Sequence, residues 1–382
     1  MKDLERIPFN RPFLTGRELN YIAEAHKRGQ LAGDGEFTRR CSEWIERQTK
    51  SSAVLLTHSC TAAIEMAALA LDIRPGDEVI MPSYTFVSTA NAFALRGATP
   101  VFVDIREDTL NIDENLIEAA ITKNTRAIVP VHYAGVACEM DAITAVASKF
   151  STAVIEDAAQ GFGSEYKNVA LGSIGHLGAY SFHETKNVIS GEGGALLVND
   201  SKLQSIAEII RQKGTNRTQF FRGEADKYTW QRLGSSFLPG EIVAAFLMAQ
   251  LECAEQMQME RLKLWDQYNV ALGDMEARGW LRRPIVPPHV THNAHMYYIL
   301  LGDQFDRQRI IASLDRLGVH AVFHYVPLHQ SPGGYAYCRK SGRLDTTEAL
   351  SAKILRLPLW MGMTLAHCDR VVESLRTAFK EQ

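Results

Sequence analysis

Between residues 53 and 199, short apolar and β-branched runs alternate with longer stretches whose apolar positions recur at helical spacing. The runs predict strands at 53–57, 78–81, 100–103, 126–132, 153–157, 178–182 and 195–199. Several are apolar throughout, as strands buried between two helical layers must be. Helical spacing fills the gaps at 61–71, 113–121 and 140–149. Strand, helix, strand repeated in this way predicts a largely parallel α/β sheet with right-handed crossovers. Beyond Glu241 the pattern predicts a long helical stretch through Leu251 and Leu262, then a loop bearing Pro284, Pro287, Pro288, His289 and His292. Strand, helix, strand and helix follow at 297–301, 306–317, 321–325 and 368–379, a second and smaller α/β unit. The first fifty residues read as an arm and two helices, with Gly33 and Gly35 at the turn between them. The expected division is residues 1–250, arm plus large domain, and residues 251–382, the small C-terminal domain.

Composition narrows the class. A chain of 382 residues with 46% hydrophobic and 22% charged residues has the makeup of a globular protein. Its 41 Lys+Arg against 44 Asp+Glu lack the basic excess that binding to nucleic acid or a membrane surface needs. The six cysteines (Cys41, Cys60, Cys138, Cys253, Cys338, Cys368) form no C-x-x-C pair, which argues against a zinc ribbon or disulfide scaffold and for a reducing compartment. Met1 to Arg6 lack the apolar core of a signal peptide, and charge or Gly breaks each long apolar run. The cytoplasm is the expected location.

In open parallel sheets ligands sit beyond the carboxyl ends of the strands, so those ends carry the candidate chemistry. After the first strand, Ser59-Cys60-Thr61 opens a helix, where small hydroxyls and free N–H groups suit a phosphate. The plain alternative is an N-cap by Ser59 or Thr61. After the second strand Phe86 puts an aromatic ring at the sheet edge. The fifth ends in Glu156-Asp157-Ala158-Ala159-Gln160, where a buried carboxylate is costly unless it meets a positive partner; a ligand and a structural salt bridge both answer that need. The sixth leads through Ser181 to Lys186 and the Gly191-Glu192-Gly193-Gly194 turn. A lysine desolvated there is a nucleophile towards aldehydes. Phosphate cup, aromatic plate, carboxylate and amine at one sheet edge match the needs of pyridoxal 5′-phosphate (PLP). Rival signals are weak. Gly161-Phe162-Gly163 has Tyr166 where a dinucleotide fingerprint needs Gly, so a nicotinamide enzyme is the runner-up. His289, His292 and His295, in a Pro-rich loop without paired carboxylates, read as solvated surface, and no metal is expected.

With those residues in view, the chain resembles the DegT/DnrJ/EryC1/StrS family, fold-type I PLP-dependent aminotransferases that act on nucleotide-linked keto-sugars. The motifs that carry the likeness are Gly76 to Ile80, Pro82 to Phe86, Glu156 to Gln160, Ser181 to Lys186 and Gly191 to Gly194. Lys213 to Arg217, Phe220 to Gly223, Asp226 to Tyr228, Val131 to Asp141 and Val322 to Tyr325 are similar to one branch of it. That branch aminates dTDP-4-dehydro-6-deoxy-D-glucose at C4 and serves enterobacterial common antigen. The resemblance implies that Lys186 is the Schiff-base lysine, Asp157 binds the pyridine nitrogen and Gln160 approaches the ring hydroxyl. It implies that Ser59, Cys60, Thr61 and Ser181 hold the phosphate and that Phe86 stacks on the ring. It also implies L-glutamate as donor and a homodimer that shares its active sites. Ser236 stands where the family commonly has an Asn that reaches the neighbouring subunit's phosphate. Arg217, Tyr228, His324, Tyr325 and His329 are candidates for sugar or nucleotide contact. A related dehydratase usually has His in place of Lys186, so the lysine argues for amino transfer.

Overall fold

The computed structural model describes residues 6–382; residues 1–5, most of the segment read above for a signal peptide, lie outside it. Eight strands of the described residues build the large sheet, seven of them from the first 200 residues: β1 (Ala53–Thr57), β2 (Glu78–Pro82), β3 (Thr99–Val103), β4 (Thr125–Ile128), β5 (Ala153–Asp157), β6 (Leu177–Ser181) and β7 (Gly194–Val198). The order of these seven across the sheet is β1-β7-β6-β5-β4-β2-β3, and the eighth lies outside β3. β2 to β6 pair in parallel, and only β7 runs against its neighbours β6 and β1. The α/β reading holds, with this one reversal. The reversal follows from connectivity, because β6 and β7 are joined by a hairpin loop rather than by a crossover helix.

The apolar runs behave as two-sided strands. Val54, Leu56, Ile80, Val101, Val103, Ile128, Val154 and Leu197 enter one core, while Ala53, Leu55, Val79, Met81, Phe102, Ala127, Ile155 and Leu196 enter the other. Successive side chains alternate faces, so a strand covered on both sides has no polar face to spare. Helices start where caps allow. Ser59 Oγ accepts from Ala62 N at the head of Cys60–Ala70, and Asp113 caps Glu114–Ala120. The Gly33/Gly35 turn separates helices Glu18–Arg28 and Glu36–Thr49, as the pattern predicted. A Cβ at Gly35 would lie 2.4 Å from the buried Glu241 carboxylate, which accepts from Gly35, Phe37 and Thr38 N–H.

The small unit departs from its prediction. Its sheet is antiparallel, Leu281–Arg282, Tyr297–Leu301 and Ile354–Leu357 in that order. The segment 321–325, expected as a strand, makes only the single bridge Val322–Arg356 and otherwise runs as a loop. The strand that takes its place in the small sheet, Ile354–Leu357, was not predicted, and neither was one further strand. Arg339–Lys340 leaves the small unit and adds a parallel strand to the outer edge of β3. The stretch after Glu241 is two helices, Glu241–Leu251 and Ala254–Ala271. The second spans two cores, with Met257 in the large one and Leu264, Trp265 and Tyr268 in the small one.

Candidate active site

The carboxyl ends of the parallel strands open into a cavity of about 580 Å³. Ser59, Cys60, Thr61, Phe86, Asp157, Gln160, Ser181, Lys186, His324 and Tyr325 all line it. The structure thus brings together ten of the predicted residues from seven separate segments. Four others lie elsewhere. His329 is buried outside the cavity, with Nδ1 paired to Ser83 Oγ at 2.7 Å and Nε2 to Glu348 Oε1 at 3.0 Å, so neither ring nitrogen is left for a substrate. Ser236, Arg217 and Tyr228 lie on an exposed segment and take no part in the lining within one chain.

The end of β5 carries two carboxylates with separate roles. Neighbouring residues on a strand face opposite sides. Glu156 is fully buried and accepts from Gly172, Ile174 and Gly175 N–H at 2.6–2.7 Å and pairs with His132 Nε2 at 2.9 Å. It is structural. Asp157 faces the cavity, with Oδ2 accepting from Thr89 Oγ1 at 2.7 Å and Oδ1 from Ala159 N at 3.2 Å. Both answers to the cost of a carboxylate here are realised, one at each residue.

Lys186 sits in the loop between β6 and β7, where Lys186 N donates to His183 O and Glu184 N to Gly191 O. Its ammonium is ringed by protein atoms, and that desolvation pulls its pKa below the ordinary lysine value. Cys60 and Asp157 pull the pKa back upward, and Arg356 pushes it further down. No carboxylate within the described residues forms an ion pair with it. The adjacent Asn187 donates to Asn293 O, and His295 Nδ1 lies 3.1 Å from Asn187 Oδ1, which anchors the loop.

At the opposite end of the cavity, Ser59 Oγ caps the helix, yet Cys60 N and Thr61 N keep no acceptor among the described residues. Thr61 Oγ1 pairs with Ser88 Oγ at 2.7 Å. Gly194 makes this approach possible: a Cβ there would lie 2.5 Å from Cys60 N. Two unsatisfied N–H groups on a helix start, beside Ser181, form an anion cup. Gln160 Oε1 accepts from Ala134 N, and its Nε2 donates to Tyr325 Oη at 3.1 Å. Tyr133 Oη lies 3.0 Å from His324 Nδ1, and burial holds the His324 pKa well below the usual histidine range.

Sequence reasoning missed Thr89, His295 and Arg356, all in the lining. Arg356 carried a signal, a lone charge inside the apolar run Ile354-Leu355-Arg356-Leu357. The histidine loop is corrected. His289 pairs with Glu139, His292 packs on Trp265 at 4.4 Å, and His295 enters the cavity, so the three neither form a surface patch nor converge. No group of three metal-ligating side chains occurs among the described residues.

A desolvated strand-end lysine, a carboxylate held ready and an anion cup on a mixed α/β sheet define a PLP-dependent aminotransferase. The residues fit the coenzyme in chemistry and in shared placement. The model of the DegT/DnrJ/EryC1/StrS aminotransferase family matches residues 12–376, and the chain belongs to that family. It is 33% identical to the GDP-perosamine synthase of Caulobacter vibrioides over 98% of this chain and 99% of that one. A family aminotransferase from Brucella abortus superposes with a TM-score of 0.87 at 30% identity, covering 95% of each chain. PseC of Helicobacter pylori, an aminotransferase in pseudoaminic acid biosynthesis, superposes at 0.89 with 26% identity, covering 99% of this chain and 100% of that one. The protein is a PLP-dependent sugar aminotransferase. No helix of the described residues is long and apolar enough to cross a membrane.

Proposed function

We propose that this enzyme moves the amino group of L-glutamate to C4 of dTDP-4-dehydro-6-deoxy-D-glucose. The products are dTDP-4-amino-4,6-dideoxy-D-galactose and 2-oxoglutarate, the reaction of dTDP-4-amino-4,6-dideoxygalactose transaminase. The observation that carries amino transfer is the cavity that joins Lys186, Asp157, Gln160 and Ser181 to the free N–H groups of Cys60 and Thr61. The likeness of Lys213 to Arg217 and Asp226 to Tyr228 to one family branch supports the narrower substrate.

When bound, PLP supplies an aldehyde that carries the amino group and a ring that accepts the electrons of a broken C–H bond. Cys60 and Thr61 N–H, Ser59 and Ser181 would hold its phosphate. Asp157 would keep a proton on its pyridine nitrogen, Gln160 would meet its hydroxyl, and Phe86 would cover its ring. Lys186 Nζ, whose lowered pKa favours the free amine, takes the proton from the donor's α-carbon and later gives one to C4 of the sugar. The half-buried, neutral His324 and Tyr325 line the cavity on the side where the sugar would lie.

A homodimer with shared sites accounts for the remaining candidates. Phe221, Tyr228, Trp230 and Leu233 are all more than half exposed within thirteen residues of sequence, a patch that a second copy would cover. Arg217 and Ser236 flank it and would reach the neighbour's cavity. The cytoplasm, where nucleotide sugars and reduced cysteines coexist, suits this role.

The test is incubation with dTDP-4-dehydro-6-deoxyglucose and L-glutamate, with NMR of the sugar product. A 4-amino sugar with the new amine axial is expected; unreacted ketone, a 3-amino sugar or the gluco epimer rejects the reading. The GDP-perosamine synthase relative favours one second reading, a GDP-linked keto-sugar. Parallel incubation with the GDP-linked ketone separates the two.

A further inference from the structure

His295 brings to the cavity a ring nitrogen that no group of the chain occupies. Its loop is tightly held. Asn293 Nδ2 donates to Gln160 O and Phe162 O, each at 2.8 Å, and Asn293 Oδ1 accepts from His295 N at 2.9 Å. The buried Arg261 donates to Ala294 O at 3.1 Å and to His295 O at 2.7 Å. Ala294 is kept at φ 49°, a left-handed conformation that a residue with a Cβ adopts only at a cost. The held loop decides the state of the ring. Asn187 Nδ2 donates to Asn293 O at 2.8 Å, so Asn187 Oδ1 is the atom turned to His295 Nδ1, at 3.1 Å. An amide oxygen only accepts, so Nδ1 carries the proton and Nε2 keeps its lone pair. Nε2 has no partner among the described residues. Burial, reinforced by Lys186, Arg261, Arg356 and His324, holds the His295 pKa well below the usual histidine range, and the ring stays neutral.

We propose that His295 is a positioning residue for Lys186, its Nε2 accepting a hydrogen bond from Nζ whenever that amine is free of the coenzyme. The inference rests on the amino-transfer reading above, in which Nζ carries a proton from the donor's α-carbon to C4 of the sugar. Lys186 leaves the backbone next to Asn187, the residue that orients the ring, and both side chains line one cavity. A free lysine side chain swings through many rotamers. One N–H pinned to Nε2 restricts that swing and leaves the nitrogen lone pair to meet the α-proton. The proton ends on Nζ, and His295 takes none.

Two substitutions separate this role from a structural one. His295→Asn keeps an N–H where Nδ1–H stood, still donating to Asn187 Oδ1, but deletes the acceptor. His295→Gln brings an amide oxygen to the place of Nε2 and gives up the contact with Asn187. Followed in the coenzyme absorbance of the PLP-loaded enzyme, the limiting rate with L-glutamate should fall about 30-fold in His295→Asn and stay within about fivefold in His295→Gln. The isotope effect of α-deuterated L-glutamate should rise in His295→Asn, because proton transfer has become the slow step. The half-saturating L-glutamate concentration and the affinity of the apo-protein for PLP should stay within about threefold in both. A normal rate in His295→Asn overturns the proposal. So does a loss in His295→Gln equal to or greater than that in His295→Asn, the pattern of a structural anchor. If the variants do not fold, nitrogen NMR of the wild-type apo-protein, labelled in its histidine rings, decides. A proton on His295 Nε2 overturns the proposal, and a bare Nε2 beside a protonated Nδ1 supports it. Wild-type coenzyme that is silent to L-glutamate defeats the amino-transfer reading itself, a distinct failure.

Discussion

Asp157→Asn isolates charge from shape. The side chain keeps its volume, and Asn Oδ1 can still accept from Ala159 N, as Asp157 Oδ1 does at 3.2 Å. Thr89 Oγ1 now donates to Asp157 Oδ2 at 2.7 Å and lies 2.8 Å from Thr85 Oγ1. Facing an amide NH₂, it can rotate, accept from Asn and donate to Thr85, so no buried polar atom is stranded. The folding cost is then about 1 kcal/mol or less, a shift of roughly 2–4 °C in Tm. The chemical cost is far larger. A unit charge facing a protonated ring nitrogen at contact range is worth about 4 kcal/mol at an effective dielectric of about 20. Without it the nitrogen gives up its proton, and kcat/KM should fall by roughly 10³-fold. The assays are kcat/KM for amino transfer, thermal unfolding and titration of the apo-protein with PLP. A variant that melts normally and turns over within about tenfold of the wild type refutes the assignment of Asp157.

Lys186→Ala should abolish the visible Schiff-base absorbance while the protein stays folded by circular dichroism; persistence of that band would mean another lysine is the true one. Glu156→Ala strands three N–H groups and His132 Nε2, so urea unfolding should show a loss of about 3–5 kcal/mol. Glu156→Gln should cost less, because it keeps an acceptor. Burial lowers the His292 pKa from 6.5 to about 4. Between those values the unfolded chain binds the proton and the folded one does not, so stability should drop by about 3 kcal/mol as pH falls through that window. His292→Asn keeps an acceptor for Ala294 N and should flatten that slope in a pH series of unfolding midpoints.

The large sheet was legible because its strands are buried on both faces, and every predicted run lies within a few residues of an observed strand. Direction was not legible. Nothing in 195–199 distinguishes a strand reached by a hairpin from one reached through a helix, so the reversal of β7 went unseen. The small sheet failed for another reason: Ala321 to Tyr325 has strand composition, yet its residues serve the cavity, and tertiary contacts overrode local preference. Among the candidate residues, those on motifs at strand ends line the cavity. Thr89 and His295 were not among the candidates, since neither position differs from ordinary helix or loop sequence. His329 was misjudged because a buried histidine with two partners looks, in sequence, like any other.

The chain crosses between its two halves more than once. Near the start, Ile7 bridges Val319 of the small unit, and near the end Arg339–Lys340 finishes the rim of the large sheet. Each half is thus stitched by a thread from the other. Dissection at residue 250 would strip the β3 flank bare and leave a naked hydrogen-bonding border inviting self-association. The molecule should therefore refold as one interlocked body, and its halves, expressed apart, should clump.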